Sequence, residues 1–176
     1  WAMLALTLPK ADGAWLTGFC RGLFALADRY RMQLVGGDTT HGPTTVITLQ
    51  AHGFVPPGLA LCRHGAQPGD GVYVTGALGD AGLALAAALG KATIAAEHRS
   101  YLQARLERPE PRLAQGLALR QIANAAIDIS DGLAQDLGHI LERSGVGAQV
   151  EVERLPLSPA LTASLDAMGY HPATHA

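Results

Sequence analysis

Short apolar runs alternate with segments of helical periodicity along most of the chain, and this alternation limits the possible folds more than any other feature. The apolar or β-branched runs that indicate strands are 2–8, 33–35, 45–54, 72–75, 126–129 and 148–152. The segments with the periodicity of a helix are 14–30, 80–90, 97–107, 112–123, 131–143 and 159–168. Strands and helices that alternate in this way pack in layers, so the sequence predicts an α/β fold with mixed sheets.

Two breaks near the middle of the chain indicate a domain boundary. PPG (56–58) interrupts the pattern, and HGAQPGDG (64–71) interrupts it again. We therefore predict an N-terminal α/β domain over 1–66 and a C-terminal α/β domain over 67–176.

The composition argues against several classes of protein. Of the 176 residues, 48% are hydrophobic and 16% are charged, which predicts folded domains rather than disorder. A formal charge of −2, with Lys and Arg scattered, gives no footprint for nucleic acid. No apolar stretch approaches about 18 residues, so no membrane span is expected. Cys20 and Cys62 lack a CxxC spacing, which favours a reducing, cytoplasmic setting.

The first acidic cluster lies in LVGGDTTHG (34–42), where the sequence predicts that a strand ends. Gly36 and Gly37 permit positive φ and let backbone N–H groups approach an anion, while Asp38 supplies a hard oxygen ligand. Amides that hold phosphate oxygens beside a carboxylate that holds a metal would suit a magnesium nucleotide. The alternative is a tight turn closed by an Asx or Thr hydrogen bond, and both interpretations stay open.

The second cluster lies in AIDISDG (126–132), between a predicted strand and a predicted helix. Asp128 and Asp131 are three residues apart, with Ser130 between them. Asp128 is the polar residue of an apolar run, and a buried acid needs a cation or a hydrogen-bond donor. A metal site is therefore one interpretation, and a helix N-cap formed by Ser130 or Asp131 is the other.

The remaining candidate sites give weaker signals. The Gly-rich segment VTGALGDAG (74–82) has neither a Walker A nor a GxGxxG spacing, so it is read as a phosphate loop or as an Asp80 N-cap. Arg63 has a guanidinium that suits phosphate, although a surface Arg in a linker is the alternative. An EF-hand is excluded, because counting from Asp128 places His139 at position 12. No nucleophilic catalytic set is predicted.

Four segments, taken in order, resemble the thiamine-monophosphate kinase family. They are QLVGGDTTHGP, HGFVPPGLALCRHGAQPGDGVYVTGALGDAG, RPEPR and AIDISDGLAQDLGHILERSGVGA. The resemblance implies the two-domain aminoimidazole ribonucleotide synthetase-like fold and a homodimer formed through the N-terminal domains. It also implies an ATP-dependent kinase that converts thiamine monophosphate to thiamine diphosphate and requires Mg²⁺.

The resemblance further implies a set of site residues. Those that would contact ATP are Gly37, Asp38, Arg63 and Ser130, and those that would bind Mg²⁺ are Asp38, Asp128 and Asp131. No side chain is expected to act as a covalent catalyst. We therefore expect direct in-line transfer of the phosphoryl group from ATP.

Two motifs of the family have no counterpart in the sequence. A GDDAA-type acidic motif would precede Trp1, and a GGEDYE-type segment would follow Ala176. The chain also starts without Met, and its first residues, WAMLALTLP, do not predict a signal peptide. We therefore expect both domains to be incomplete and the 176-residue chain to lack kinase activity alone. The alternatives are a superfamily relative that uses ATP on another small acceptor and a non-catalytic nucleotide- or metal-binding module.

Overall fold

The computed structural model describes residues 1–167, which fall into two compact units that meet in sequence at Pro56 and Pro57. The strands are β1 (Ala2–Leu8), β2 (Leu34–His41) and β3 (Val46–Ala51). The helices are α1 (Gly13–Arg29), α2 (Asp80–Ala88), α3 (Ala96–Glu107), α4 (Leu113–Ala118), α5 (Leu133–Ser144) and α6 (Pro159–Ala167). The boundary placed at 66/67 stays a prediction.

The first unit contains a three-stranded mixed sheet in the order β2-β1-β3. β1 runs parallel to β2 and antiparallel to β3, so the predicted mixed sheet is confirmed. The helix α1 connects the parallel pair, and it begins where the Asp12 carboxylate accepts from the N–H groups of Ala14 and Trp15 at 2.9 and 3.1 Å.

β2 is longer than predicted, and this changes the position of the first acidic cluster. The sequence predicts a strand that ends before GGDTT, but β2 continues to His41 and Asp38 lies opposite Ala5 of β1. From Gly36 to His41 the pairing with β1 keeps one register, and it extends β2 through residues with low strand propensity. Asp38 Oδ1 accepts from the Thr39 N–H at 2.8 Å, but this bond lies within a paired strand and closes no turn. The predictions of a strand end and of a tight turn are therefore wrong.

The second unit has a core formed by α2, α3 and α6. Its buried apolar residues are Leu83, Ala84, Ile94, Leu102, Ala160 and Leu161. The Asp80 carboxylate is buried beside this core, accepts from the Tyr101 and Ser158 hydroxyls, and lies 3.6 Å from the Arg105 guanidinium. α2 is N-capped by Gly79 without a side-chain hydrogen bond. The Asp80 N-cap interpretation is therefore wrong, because this carboxylate instead bonds α2 to α3 and to Ser158, the residue just before α6.

Three predicted strands of the second unit, 72–75, 126–129 and 148–152, are not strands in the part of that unit that the structure describes. An extended run becomes a strand only where another backbone offers a ladder of hydrogen bonds. Among residues 1–167, the run at 126–129 makes one such bond, from Ala126 N–H to the Cys62 carbonyl at 2.9 Å.

The helices agree better with the predictions. α4 ends at Ala118 rather than at 123, and the last residue of the predicted helix 159–168 lies outside the described residues. None of the helices within residues 1–167 combines the length and the apolar character needed to cross a membrane.

Candidate functional site

A cleft of about 600 Å³ in the second unit contains two of the residues singled out in the sequence, Arg63 and Asp128. It also contains His64 and Arg143, which the sequence did not indicate, and the free thiol of Cys62. The cleft therefore combines cationic, acidic and apolar groups.

Hydrogen bonds between distant segments form this cleft. The loop that carries Arg63 is joined to α5 by the bond from Ala66 N–H to Ser144 Oγ at 3.2 Å. Arg143 is the neighbour of Ser144 in the last turn of α5. The same loop passes close to Asn124, because a Cβ on Gly65 would lie 2.7 Å from the Asn124 carbonyl oxygen. These contacts bring the two arginines to one cleft.

Hydrogen bonds at Asp70, here called the Asp70 clasp, also fix this loop. The Asn124 side-chain amide donates to both Asp70 carboxylate oxygens at 3.0 Å, and the Gln67 N–H donates to one of them at 2.8 Å. These donors hold the pKa of the Asp70 carboxyl below its ordinary value. The clasp thus stabilises the loop most when Asp70 is ionised.

The two arginines of the cleft are available to an anion. Both side chains are exposed, and within residues 1–167 neither Arg63 nor Arg143 has an ion-pair partner. Two guanidinium groups that line one cleft without ion-pair partners suit phosphate oxygens. The sequence does not indicate Arg143, because its place in the cleft depends on the long-range contact at Ser144.

The acidic loop, defined here as residues 128–132, precedes α5. Asp128, Ser130 and Asp131 are all exposed. The N-cap residue is Gly132, with φ at 122°, and no side chain makes a cap hydrogen bond from that position among the described residues. The N-cap interpretation of Ser130 or Asp131 is therefore wrong. Burial does not demand a cation at Asp128 either, because that side chain is exposed.

Asp136, in the first turn of α5, is the acid that binds the free backbone N–H groups of the loop. Its Oδ2 accepts from Ser130, Asp131 and Gly132 at 2.9, 3.1 and 3.2 Å. Burial raises the pKa of the Asp136 carboxyl, but these donors and the nearby His139 outweigh burial and hold it below its ordinary value. An acid in a first helical turn was the available sequence signal.

The donor types of the loop fit a hard divalent cation. Mg²⁺ is commonly held by one or two carboxylates together with water and substrate phosphates, rather than by a complete cage of protein ligands. Asp128 and Asp131 supply two exposed carboxylates, and Ser130 supplies a hydroxyl. No group of three or more His, Cys, Asp or Glu suited to a metal ion occurs in the part of the chain that the structure describes. The loop thus suits a cation whose remaining coordination positions are filled by water and by the phosphates of a bound ligand.

Gly37 and Asp38 lie in the first unit. Gly37 has φ at 150°, and a Cβ there would lie 1.8 Å from the Leu4 carbonyl oxygen, so contact between β2 and β1 explains this glycine. Asp38 is exposed on β2, on the same sheet face as Thr7 and Thr40, whose hydroxyls are 2.9 Å apart. This face could supply oxygen ligands to a cation.

Family models match both parts of the chain. The N-terminal domain of the AIR synthase related proteins matches residues 1–55, and the C-terminal domain of these proteins matches residues 67–170. The chain belongs to the AIR synthase related protein family. The family resemblance and the fold class predicted from the sequence are thereby confirmed.

Individual relatives are thiamine-monophosphate kinases. The chain is 52% identical over 167 residues to that of Salmonella typhimurium strain LT2, covering 94% of this chain and 51% of that protein. The chain spans about half the length of the curated relatives it matches.

Solved structures agree with this result. The crystal structure of thiamine-monophosphate kinase from Stenotrophomonas maltophilia K279a matches with a TM-score of 0.84 and 48% identity, covering 93% of this chain and 53% of that one. AaThiL complexed with AMPPCP and TMP matches with a TM-score of 0.83 and 30% identity, covering 99% of this chain and 56% of that one.

Proposed function

We propose that the complete gene product is an ATP-dependent kinase that phosphorylates thiamine monophosphate to thiamine diphosphate. The observation that carries this proposal is the cleft in which Arg63 and Arg143, both without ion-pair partners among the described residues, lie with the exposed carboxylate of Asp128. The relatives named thiamine-monophosphate kinase supply the reaction. The AaThiL complex supports the assignment of the two substrates, because that protein is complexed with AMPPCP, an ATP analogue, and with TMP.

The chemical obstacle in this reaction is the repulsion between two anions. The acceptor is itself a phosphate, and two unit charges 4 Å apart repel by about 4 kcal/mol at an effective dielectric constant of about 20. Arg63 and Arg143 can offset this charge by donating bidentate hydrogen bonds to phosphate oxygens. They would hold the nucleotide while the acceptor phosphate aligns with the γ-phosphorus.

We assign the metal and nucleotide ligands as follows. Asp38, Asp128 and Asp131 would hold Mg²⁺, and Gly37, Asp38, Arg63 and Ser130 would contact ATP. When bound, Mg²⁺ supplies positive charge to the phosphate oxygens. The three carboxylates are exposed, so they can bind a cation without breaking bonds in the protein interior, which supports the assignment.

We further propose direct in-line transfer without a phosphoenzyme. Phosphoryl transfer depends mainly on positioning and on charge stabilisation, so the protein needs no nucleophilic side chain. A homodimer and a cytoplasmic location complete the proposal, as expected from the family resemblance.

Product formation by the complete gene product tests this function. We expect thiamine diphosphate and ADP to form in equal amounts from thiamine monophosphate and Mg-ATP. ADP release with a ribonucleotide or a selenium species, but not with thiamine monophosphate, would favour a superfamily relative with another acceptor. Mg-ATP binding without turnover of any acceptor would favour a non-catalytic binding module.

A further inference from the structure

We propose that Asp136 is a positioning residue that holds the acidic loop in the conformation that binds metal and nucleotide. This inference rests on the proposed function, because it concerns how the loop presents its ligands. Asp136 is only 3% exposed, whereas the side chains of Asp128, Ser130 and Asp131 are exposed. The buried acid and the exposed acids therefore have different roles.

The geometry around Asp136 explains how it can shape the loop. One carboxylate oxygen, Oδ2, accepts from three consecutive backbone N–H groups, those of Ser130, Asp131 and Gly132. Consecutive N–H groups that converge on one anion turn the backbone around it. The Ser130 hydroxyl and the Asp131 carboxylate remain exposed on this turn.

The same hydrogen bonds limit what the loop can offer to a ligand. Three of its N–H groups are already satisfied by Asp136, so the loop meets phosphate or metal through its side chains. The buried Oδ2 of Asp136 is occupied as well, which argues against Asp136 as a metal ligand. Asp131 is further restrained by Gln135, whose Nε2 donates to Asp131 Oδ2 at 3.3 Å.

Loss of the Asp136 carboxylate would release this turn. The three N–H groups would lose their acceptor, and the like charges of Asp128 and Asp131 would favour a more open loop. Residues that orient metal ligands without touching the metal typically change metal affinity by about 10- to 100-fold. We expect an effect of this size for Asp136→Ala.

The test uses the complete gene product in two measurements. Hydrogen exchange followed by mass spectrometry, without metal, reports on the amides of 130–132. Calorimetric titration with Mg-ATP reports the Kd. For Asp136→Ala we expect faster exchange at these amides and a Kd raised by about 10- to 100-fold. If that variant does not fold, Asp136→Asn replaces it. We then expect a smaller rise in the exchange rate and in the Kd, because the amide oxygen of Asn still accepts from the loop, although less strongly than a carboxylate does.

Asp80→Asn is the matched control. Asp80 is a second buried acid of the same unit, but it accepts from Tyr101 on α3 and from Ser158 just before α6, and not from the acidic loop. We expect this variant to lower the melting temperature while leaving exchange at 130–132 and the Kd unchanged. A folded Asp136 variant with wild-type exchange, or with a wild-type Kd, would overturn the proposal. A wild-type protein that binds no Mg-ATP would instead contradict the proposed function, and the exchange rates would still decide whether Asp136 holds the loop.

Discussion

At the scale of single residues, similar residue types serve different purposes in this chain. Gly37 is explained by contact with β1, whereas Gly36, its neighbour, has open space around the position of a Cβ. Asp80 and Asp136 are buried and bonded, whereas Asp128 is exposed in a cleft. The exposure of a side chain and its hydrogen-bond partners, rather than its residue type, distinguish a candidate ligand from a residue that supports the fold.

The two arginines of the cleft lead to the first prediction. Arg63→Gln and Arg143→Gln should each raise the Kd of the complete gene product for Mg-ATP by about tenfold or more, because a charge-assisted hydrogen bond contributes about 1.5–3 kcal/mol. Calorimetric titration measures this effect. Arg99→Gln, which removes the same charge from α3 outside the cleft, should leave the Kd within about twofold of wild type. Equal effects at all three positions would indicate a general charge effect instead.

At the scale of elements, the contact between β1 and β2 leads to a second prediction. Gly37→Ala should lower the free energy of unfolding by about 3 kcal/mol, because its Cβ would overlap the Leu4 carbonyl and its φ of 150° strains an L-residue. Gly36→Ala should change it by less than about 1 kcal/mol. Urea unfolding of both variants measures the difference, and equal stabilities would contradict the packing explanation.

The Asp70 clasp leads to a prediction of pH dependence. The pKa of Asp70 is lowered in the folded state by bonds from Asn124 and Gln67, so its contribution to stability is present above the unfolded pKa. That contribution is lost as the pH falls through the folded pKa, which lies below the ordinary value of an aspartate. Asp70→Ala should therefore be less stable than wild type at pH 7, and the difference should shrink at pH 3. Thermal unfolding at both pH values measures this difference in stability. The same difference at pH 7 and pH 3 would contradict a stabilising role of the Asp70 carboxylate.

The elements also differ in how far the sequence could predict them. Helices such as α5 follow from a local apolar periodicity, so their positions were predicted closely. The run 126–129 has the composition of a strand, but a strand needs a partner backbone, which local sequence cannot specify. The sequence indicated Arg63 and Asp128, yet Arg143 depends on long-range bonds that bring its helix to the same cleft.

At the scale of the whole molecule, we propose that acids from both units bind the cations of one nucleotide. Asp38 lies on β2 of the first unit, and Asp128 and Asp131 lie in the second unit. Residues that act on one ligand show non-additive effects, whereas independent sites are additive. Coupling between Asp38 and Asp131 can therefore be measured in solution.

The most direct test is the Mg-ATP affinity and kinase activity of Asp38→Asn, Asp131→Asn and the double variant, each in the complete gene product. We expect each single variant to abolish turnover, to remain folded by circular dichroism and to weaken Mg-ATP binding by about 10- to 100-fold. In the double variant the Kd for Mg-ATP should rise far less than the product of the two single fold-increases. Near-normal turnover of either single variant at limiting Mg²⁺, or strictly additive losses of affinity, would contradict a shared metal-nucleotide site.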